Sequence, residues 1–518
     1  MYGIASAERA VPQRVAIDWA AAARDAQSRL LRSSPLYASA IDTNLHSPSI
    51  NSGLHSLARL GALTAPTIPN VNLAPVPVLA PIKQATADDK RQRRHPAPVA
   101  LARSMEEFQL VVGQSGYDAI MTIRPKQLHN LGIKAMSPVQ LHLAGSTLRY
   151  ANSHPGRIVP GFKGRFANLR KSIDDDQVTY TFQRYGVPYF INAACRSGPS
   201  WDRGPSCTEV EAIVRVVLKD LRLVGGAPAS GREIGSIHQS KTTRRPAPNH
   251  GPRFFYYPPG HLMPGSSEAS KGGAISRVEY GKSLRFPIRL APVYANSQVF
   301  MHGGNCLGQR IALPSAPDGR RRYRCQQTNK VLEDVEGHAE NYSYPWRDTY
   351  CEVRGSGMPI GCPLKRGHAG QDLRPAKCNV GSSSKSRCRG DIFDVVAVTD
   401  GWAWWKTGVH ENHLRLNADD GTDKLYYMYL HMSPRALKAA GMQRGKLVRV
   451  KKGQVIGKIG NYWKTKPGGT TTHLHFEIRR GDDIGDPLAP YWTLVRAYER
   501  LLGRKGTEIT NEREPKRR

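Results

Sequence analysis

Two short strings about a hundred residues apart hold the residue types with the most chemistry in them. His368-Ala369-Gly370-Gln371-Asp372 sets an imidazole and a carboxylate four positions apart, and His473-Leu474-His475-Phe476-Glu477 sets two imidazoles two apart in an apolar run. Together they offer three ligands for a catalytic zinc, which keeps a further position open for water, and they leave one base to spare. Zinc lowers the pKa of its water to about 7 and polarises a carbonyl. The chemistry on offer is metal-dependent hydrolysis.

Such ligands must be held by rigid elements. Side chains alternate along a strand, so His473, His475 and Glu477 share one face while Leu474, Phe476 and Ile478 share the other and anchor it in a core. The first string is flanked by Gly367 and runs into Leu373 before Pro375, which reads as a loop entering a strand. Glu477 reads as a surface carboxylate in preference to a partner for the imidazoles. His410 and His413, in a polar stretch, read as solvent-facing loop residues.

With these residues in view, residues 290–500 resemble the lysostaphin-like (LytM-type) zinc endopeptidases. That family carries a His-x-x-x-Asp pair, a Tyr-x-His strand and a terminal His-x-His, matched here by His368 and Asp372, by Tyr429-Leu430-His431-Met432 and by His473-Leu474-His475; the Gly-rich hairpin Lys452–Asn461 matches as well. The resemblance implies an antiparallel, mainly β catalytic domain of the lysostaphin-like, duplicated hybrid motif type. It implies one Zn2+ held by His368, Asp372 and His475, with His473 as general base and His431 positioning the water or stabilising the oxyanion. Alternation through Tyr427-Met428-Tyr429-Leu430-His431 places Tyr427, Tyr429 and His431 on one face, aimed at the cleft. The implied reaction is hydrolysis of a peptide bond in peptidoglycan stems or cross-links. The alternative is a catalytically silent wall-binding protein or an activator of another wall hydrolase. Tyr429, Trp404, Trp405, Tyr462 and Trp463 are candidates for the groove, although Trp404 and Trp405, being consecutive, cannot face the same way on a strand.

Composition constrains partners and compartment. Lys and Arg number 75 against 42 Asp and Glu, a net charge of +33 that favours polyanions. Basic clusters such as Lys90–Arg94, Arg320–Arg324 and Lys516–Arg518 come without a nucleic-acid-binding signature, so peptidoglycan and anionic envelope polymers are the expected partners ahead of nucleic acid. The cysteines are Cys195, Cys207, Cys306, Cys325, Cys351, Cys362, Cys378 and Cys388. None makes a Cys-x-x-Cys pair, and the even number suits disulfides in an oxidising compartment. Sequential pairing, from Cys195–Cys207 to Cys378–Cys388, is one of 105 connectivities; however the cysteines pair, bridges from Cys362 and Cys378 would stiffen the loop bearing His368 and Asp372, which these two bracket. The expected location is periplasm, cell envelope or outside the cell. The amino terminus nevertheless shows no apolar core of the roughly 7–15 residues a secretory signal carries, and no stretch approaches the about 20 residues of a membrane span.

Along the chain, residues 1–100 read as mostly disordered, with an amphipathic helix near 16–31 and a polyproline-type linker through Ala74-Pro75-Val76-Pro77-Val78-Leu79-Ala80-Pro81. Residues 101–225 read as a small α/β module whose role is wall binding, autoinhibition or folding alone. In it Val178–Phe182 and Val187–Ile191 are strands, with Pro188 pointing to an edge. Thr208-Glu209-Val210-Glu211 opens a helix with Val210, Ile213, Val214, Val217, Leu218 and Leu221 on one face, ending at Gly225-Gly226. Residues 226–290 read as a basic Gly/Pro-rich linker, 291–503 as the zinc endopeptidase domain with a helical insert at Pro434–Ala440, and 504–518 as a charged tail.

Overall fold

The computed structural model describes residues 13–33, 71–81, 108–226, 253–297, 310–375 and 388–510, with short breaks inside these ranges. Expectations for most of 1–100, for 227–252, for 511–518 and for His410 lie outside the described residues.

The described residues centre on two large antiparallel sheets. The N-terminal sheet has seven strands in the spatial order Gln109–Gly113, Gly116–Ile123, Val139–Ser146, Val187–Ala194, Gln177–Arg184, Arg170–Asp174 and Arg157–Ile158. One face carries Tyr117, Leu141, Leu143, Tyr180, Phe182, Tyr189 and Ile191 into a core completed by the helix Cys207–Asp220. That helix buries Val210, Ile213, Val214, Val217 and Leu218, the expected face. Its cap is Ser206, not Thr208: the Ser206 hydroxyl accepts from the Glu209 amide, and Glu209 reaches back to the Ser206 amide. The helix stops at Asp220, and Leu221–Gly225 continues as a strand.

Two local expectations fail for identifiable reasons. Pro188 lies in a central strand, because Val187 and Arg184 close the Tyr185-Gly186 turn and the next pair turns its amides the other way. The N–H that proline lacks would face Val139–Ser146, where pairing begins only at Tyr189. Val78–Pro81 is no linker. It pairs antiparallel with Leu221–Gly225 and is buried, so the alternating prolines serve a packed edge strand. The expected amphipathic helix is present as Trp19–Ser33.

The C-terminal sheet runs Val293–Ala295, Gln371–Pro375, Leu474–Arg480, Leu425–Leu430, Leu414–Ala418, Gly401–Trp405 and Leu447–Val450, with Pro487–Leu488 beside Leu474–Arg480. Register divides its side chains cleanly. Tyr429 lies opposite Phe476, Tyr427 opposite Ile478, and Leu414 and Leu416 opposite Tyr429 and Tyr427, so these share the apolar face. Against it pack the helix Tyr491–Leu502 and the aromatic residues Phe254, Phe286 and Trp346. Residues 253–290 therefore belong largely to this module: Phe255–Tyr256 pairs in parallel with Thr507–Glu508, and Leu284 and Ile288 are buried. The Pro434–Ala439 insert is a short helix capped by Ser433. Cys195–Cys207 and Cys351–Cys362 are disulfides, as sequential pairing has it. No helix among the described residues is long and apolar enough to cross a membrane.

Candidate metal centre

The opposite, polar face of the C-terminal sheet brings the two strings together. Asp372 lies directly across from His475 in the pairing of Gln371–Pro375 with Leu474–Arg480. His368 sits in the loop just before the first of these strands. That loop is fixed at both ends by Thr349, whose carbonyl accepts from His368 Nδ1 at 2.8 Å and whose hydroxyl accepts from the Asp372 amide at 3.0 Å. Backbone bonds between Cys351 and His368 and between His368 and Glu352 add to it, and the Cys351–Cys362 bridge anchors the same segment. Gly370 is required here: a Cβ would lie 2.6 Å from His475 Nε2 and 2.6 Å from the Phe476 carbonyl.

The donor atoms form a compact triangle. His368 Nε2 is 2.8 Å from His475 Nδ1 and 3.4 Å from Asp372 Oδ1, and His475 Nδ1 is 3.2 Å from Asp372 Oδ1. Tetrahedral ligands at the usual zinc distances of about 2.0–2.1 Å stand about 3.3 Å apart, so the residues present fit the ion. Proton bookkeeping reinforces the fit. His368 donates its Nδ1–H to Thr349 O, and His475 donates its Nε2–H to the Glu477 carboxylate at 2.8 Å. Each ring thereby turns an unprotonated nitrogen toward the other and toward a carboxylate, an arrangement that calls for a cation between them. Burial opposes charge on His475, yet the bonds to Asp372 and Glu477 overcome it and raise its pKa to about 9, so the point between the ligands attracts positive charge and an ion bound there displaces a proton from Nδ1.

Glu477 is the principal correction. It is buried, receives the His475 N–H, and is paired on its other side with Arg479. That arginine two positions on, on the same face, is the signal that separates a buried partner from a surface carboxylate. His413 likewise is buried, not solvent-facing.

His473 and His431 complete the cleft. His473 Nδ1 donates to Thr471 O at 2.8 Å, leaving Nε2 3.5 Å from Asp372 Oδ1. Burial, with His431 and His475 nearby, holds its pKa well below the ordinary histidine range despite Asp372. His431 Nδ1 donates to Tyr462 O at 2.8 Å, and its ring centroid is 4.6 Å from that of His473 and 5.9 Å from that of His475. It gets there by a route that alternation does not give. Tyr427 and Tyr429 face the apolar core, and Leu430 lies across from His475. His431 follows with φ of +70°, which breaks the alternation and turns its ring into the cleft. Gly460 makes room, since a Cβ there would sit 2.3 Å from the His431 carbonyl.

Of the aromatic candidates, Tyr429 and Trp405 are core residues, Trp404 is on the polar face, and Trp463 is half exposed and stacked on His431 at 5.9 Å. Glu336, which carries no motif, is a missed residue. Its fully buried carboxylate accepts from the amides of Thr472 and Cys388 at 2.6 and 2.9 Å and so pins the backbone that orients His473.

A comparison with curated proteins returns no match. The catalytic domain of the antimicrobial peptidase lysostaphin from Staphylococcus simulans, crystallized in the absence of phosphate, is similar at 20% identity, with 30% of this chain and 92% of that chain covered and a TM-score of 0.19. Residues 385–487 match the sequence model of Peptidase family M23. That similarity to peptidase family M23 takes in His431, His473 and His475, and the fold brings His368 and Asp372 to the matched segment.

Proposed function

We propose that the chain is a zinc-dependent endopeptidase that hydrolyses peptide bonds in bacterial peptidoglycan, working at the cell envelope or outside the cell. The observation that carries this reading is the triangle of His368 Nε2, Asp372 Oδ1 and His475 Nδ1, with the imidazoles of His431 and His473 beside it. The family match supports the peptidase class, and the disulfides suit the compartment.

Zinc, when bound, supplies Lewis acidity and an activated water. Glu477 keeps His475 in the tautomer whose Nδ1 is a ligand, and Thr349 does the same for His368 Nε2. His473, kept neutral by its burial, offers Nε2 as the acceptor for the proton of the attacking water. His431, in the tautomer set by Tyr462 O, likewise presents an acceptor at Nε2. It therefore holds the water first, and donates to a developing oxyanion only after taking up a proton.

The test is incubation of the protein with purified peptidoglycan, with and without a chelator, followed by mass identification of released fragments. New amino and carboxyl termini that vanish with chelation support the reading. Retained wall binding without any cleavage by zinc-loaded protein would replace it with the silent-binder alternative.

A further inference from the structure

The polar face that carries His475 does not end at the metal centre. Register places Glu477, Arg479, Tyr426, Arg415 and Trp404 on the same side of successive strands. From His475 the strip extends about 13 Å along its strand and about 14 Å across three strands to Trp404, the reach of an extended peptide of four or five residues. Its cations are Arg479, Arg415 and the adjacent Lys406, against the single carboxylate of Glu477.

In the full chain this strip is covered by the polar face of the N-terminal sheet. Gln140 accepts from Trp404 Nε1 at 3.2 Å, and Gln177 accepts from Lys406 Nζ at 2.6 Å. The key group is Asp118. Its Oδ1 accepts from Tyr426 Oη at 2.9 Å and from His142 Nε2 at 2.7 Å, while Arg415 donates to His142 Nδ1 at 2.9 Å and lies over the Tyr426 ring. Asp118 is thus an acid of one module seated on the cationic and aromatic strip of the other. The contact is largely hydrophilic; its apolar cluster consists of Ala144, Phe190 and Tyr426. Contacts of that character between modules part far more readily than apolar cores do.

We infer that the strip is the floor on which an acidic peptide lies as it reaches the metal centre, and that the N-terminal sheet holds the full chain latent by placing Asp118 where a carboxylate of that peptide binds. This rests on the hydrolase reading and adds its regulation. Closure lowers the apparent affinity for the peptide by the fraction of open molecules.

The experiment uses the full chain with zinc added: wild type, Asp118→Arg, and Ala144→Arg, the last an independent wedge in the same contact. The probe is a synthetic pentapeptide with two glutamates, its binding followed by fluorescence anisotropy, alongside turnover of purified peptidoglycan. Both variants are expected to bind the peptide at least about 10-fold more tightly than wild type, with a salt dependence that wild type lacks. A variant whose N-terminal sheet unfolds uncovers the floor too and must show the same gain. Equal affinity in all three proteins overturns the inference. Tighter binding without hydrolysis would sink the hydrolase reading and leave the covered floor standing; hydrolysis by wild type with no gain in either variant does the reverse.

Discussion

Two buried clusters of histidine, carboxylate and neighbouring donors lie against the same face of the C-terminal sheet, and they differ in a way that separates a candidate metal site from an ion-pair network. Around Asp118, the side chains bond to one another. Arg415 gives to His142 Nδ1, His142 Nε2 gives to Asp118, and Tyr426 gives to the same carboxylate, so charge and hydrogen bonds close on themselves. Around Asp372, the donors point outward. His368, His475, His473 and His431 each spend an N–H on a carbonyl or carboxylate at the rim, and His368 and His475 turn their other nitrogens to a common point beside Asp372. Residue type alone does not distinguish the clusters. The direction in which the second nitrogen of each ring is satisfied does.

The sharpest way to break this comparison is to remove one imidazole from each cluster. His368→Ala is expected to abolish stoichiometric zinc and all cleavage, whereas His142→Ala is expected to retain one zinc per chain; elemental analysis of the purified proteins decides. Zinc retained without His368 would mean that the convergence is coincidental. The rim partner is next. Glu477→Gln keeps an acceptor for His475 but removes the charge, and zinc affinity is expected to fall about 10- to 100-fold in a competitive chelator titration. Glu336→Ala leaves the Thr472 and Cys388 amides buried without this acceptor, a change worth about 1–3 kcal/mol. Its expected signature is a lower kcat, with KM and zinc content little altered, because it is His473 that loses its support.

The smallest effect concerns a third buried acid. Burial raises the Asp348 pKa from 3.8 to about 7 against the hydrogen bonds from Gly260, Tyr350 and Thr349. Between those values the folded chain holds a proton that the unfolded chain has lost, so this group makes stability decline as pH rises from about 4 to about 7. Urea midpoints across that range should fall in wild type and fall less in Asp348→Asn. An identical slope in both would show that the acid ionises freely in the fold.

How much of this is legible in the sequence depends on how local the cause is. The alternation of Leu474, Phe476 and Ile478 with His473, His475 and Glu477 is a property of six consecutive residues, and the apolar face it requires is present. The helix Cys207–Asp220 and its buried face are equally local, and only the cap shifts, by two positions, because Ser206 satisfies the same pattern as Thr208. His431 marks the limit. Its place in the cleft depends on one backbone angle that no alternation rule contains, and the simple rule would have sent Tyr427 and Tyr429 there too. Glu336 and Thr349 were beyond reach for another reason. They act on His473 and His368 through backbone groups more than a hundred residues away in one case and nineteen in the other, and such partners leave no spacing to read. The contact between the two polar faces is of the same kind, joining residues such as Asp118 and Tyr426 that are 308 positions apart.

The parallel pairing of Phe255–Tyr256 with Thr507–Glu508 fastens the two ends of the C-terminal module to each other like the clasp of a belt. Phe254, just ahead of the clasp, packs on Trp346 and Tyr498, and Trp346 donates to the carbonyl of Val293, in the strand that pairs with Gln371–Pro375. A minimal fragment that keeps the candidate metal centre intact therefore has its natural limits outside the family-matched segment on both sides. Trimming to residues 385–487 would discard His368 and Asp372 together with the fastening that keeps their strand in register.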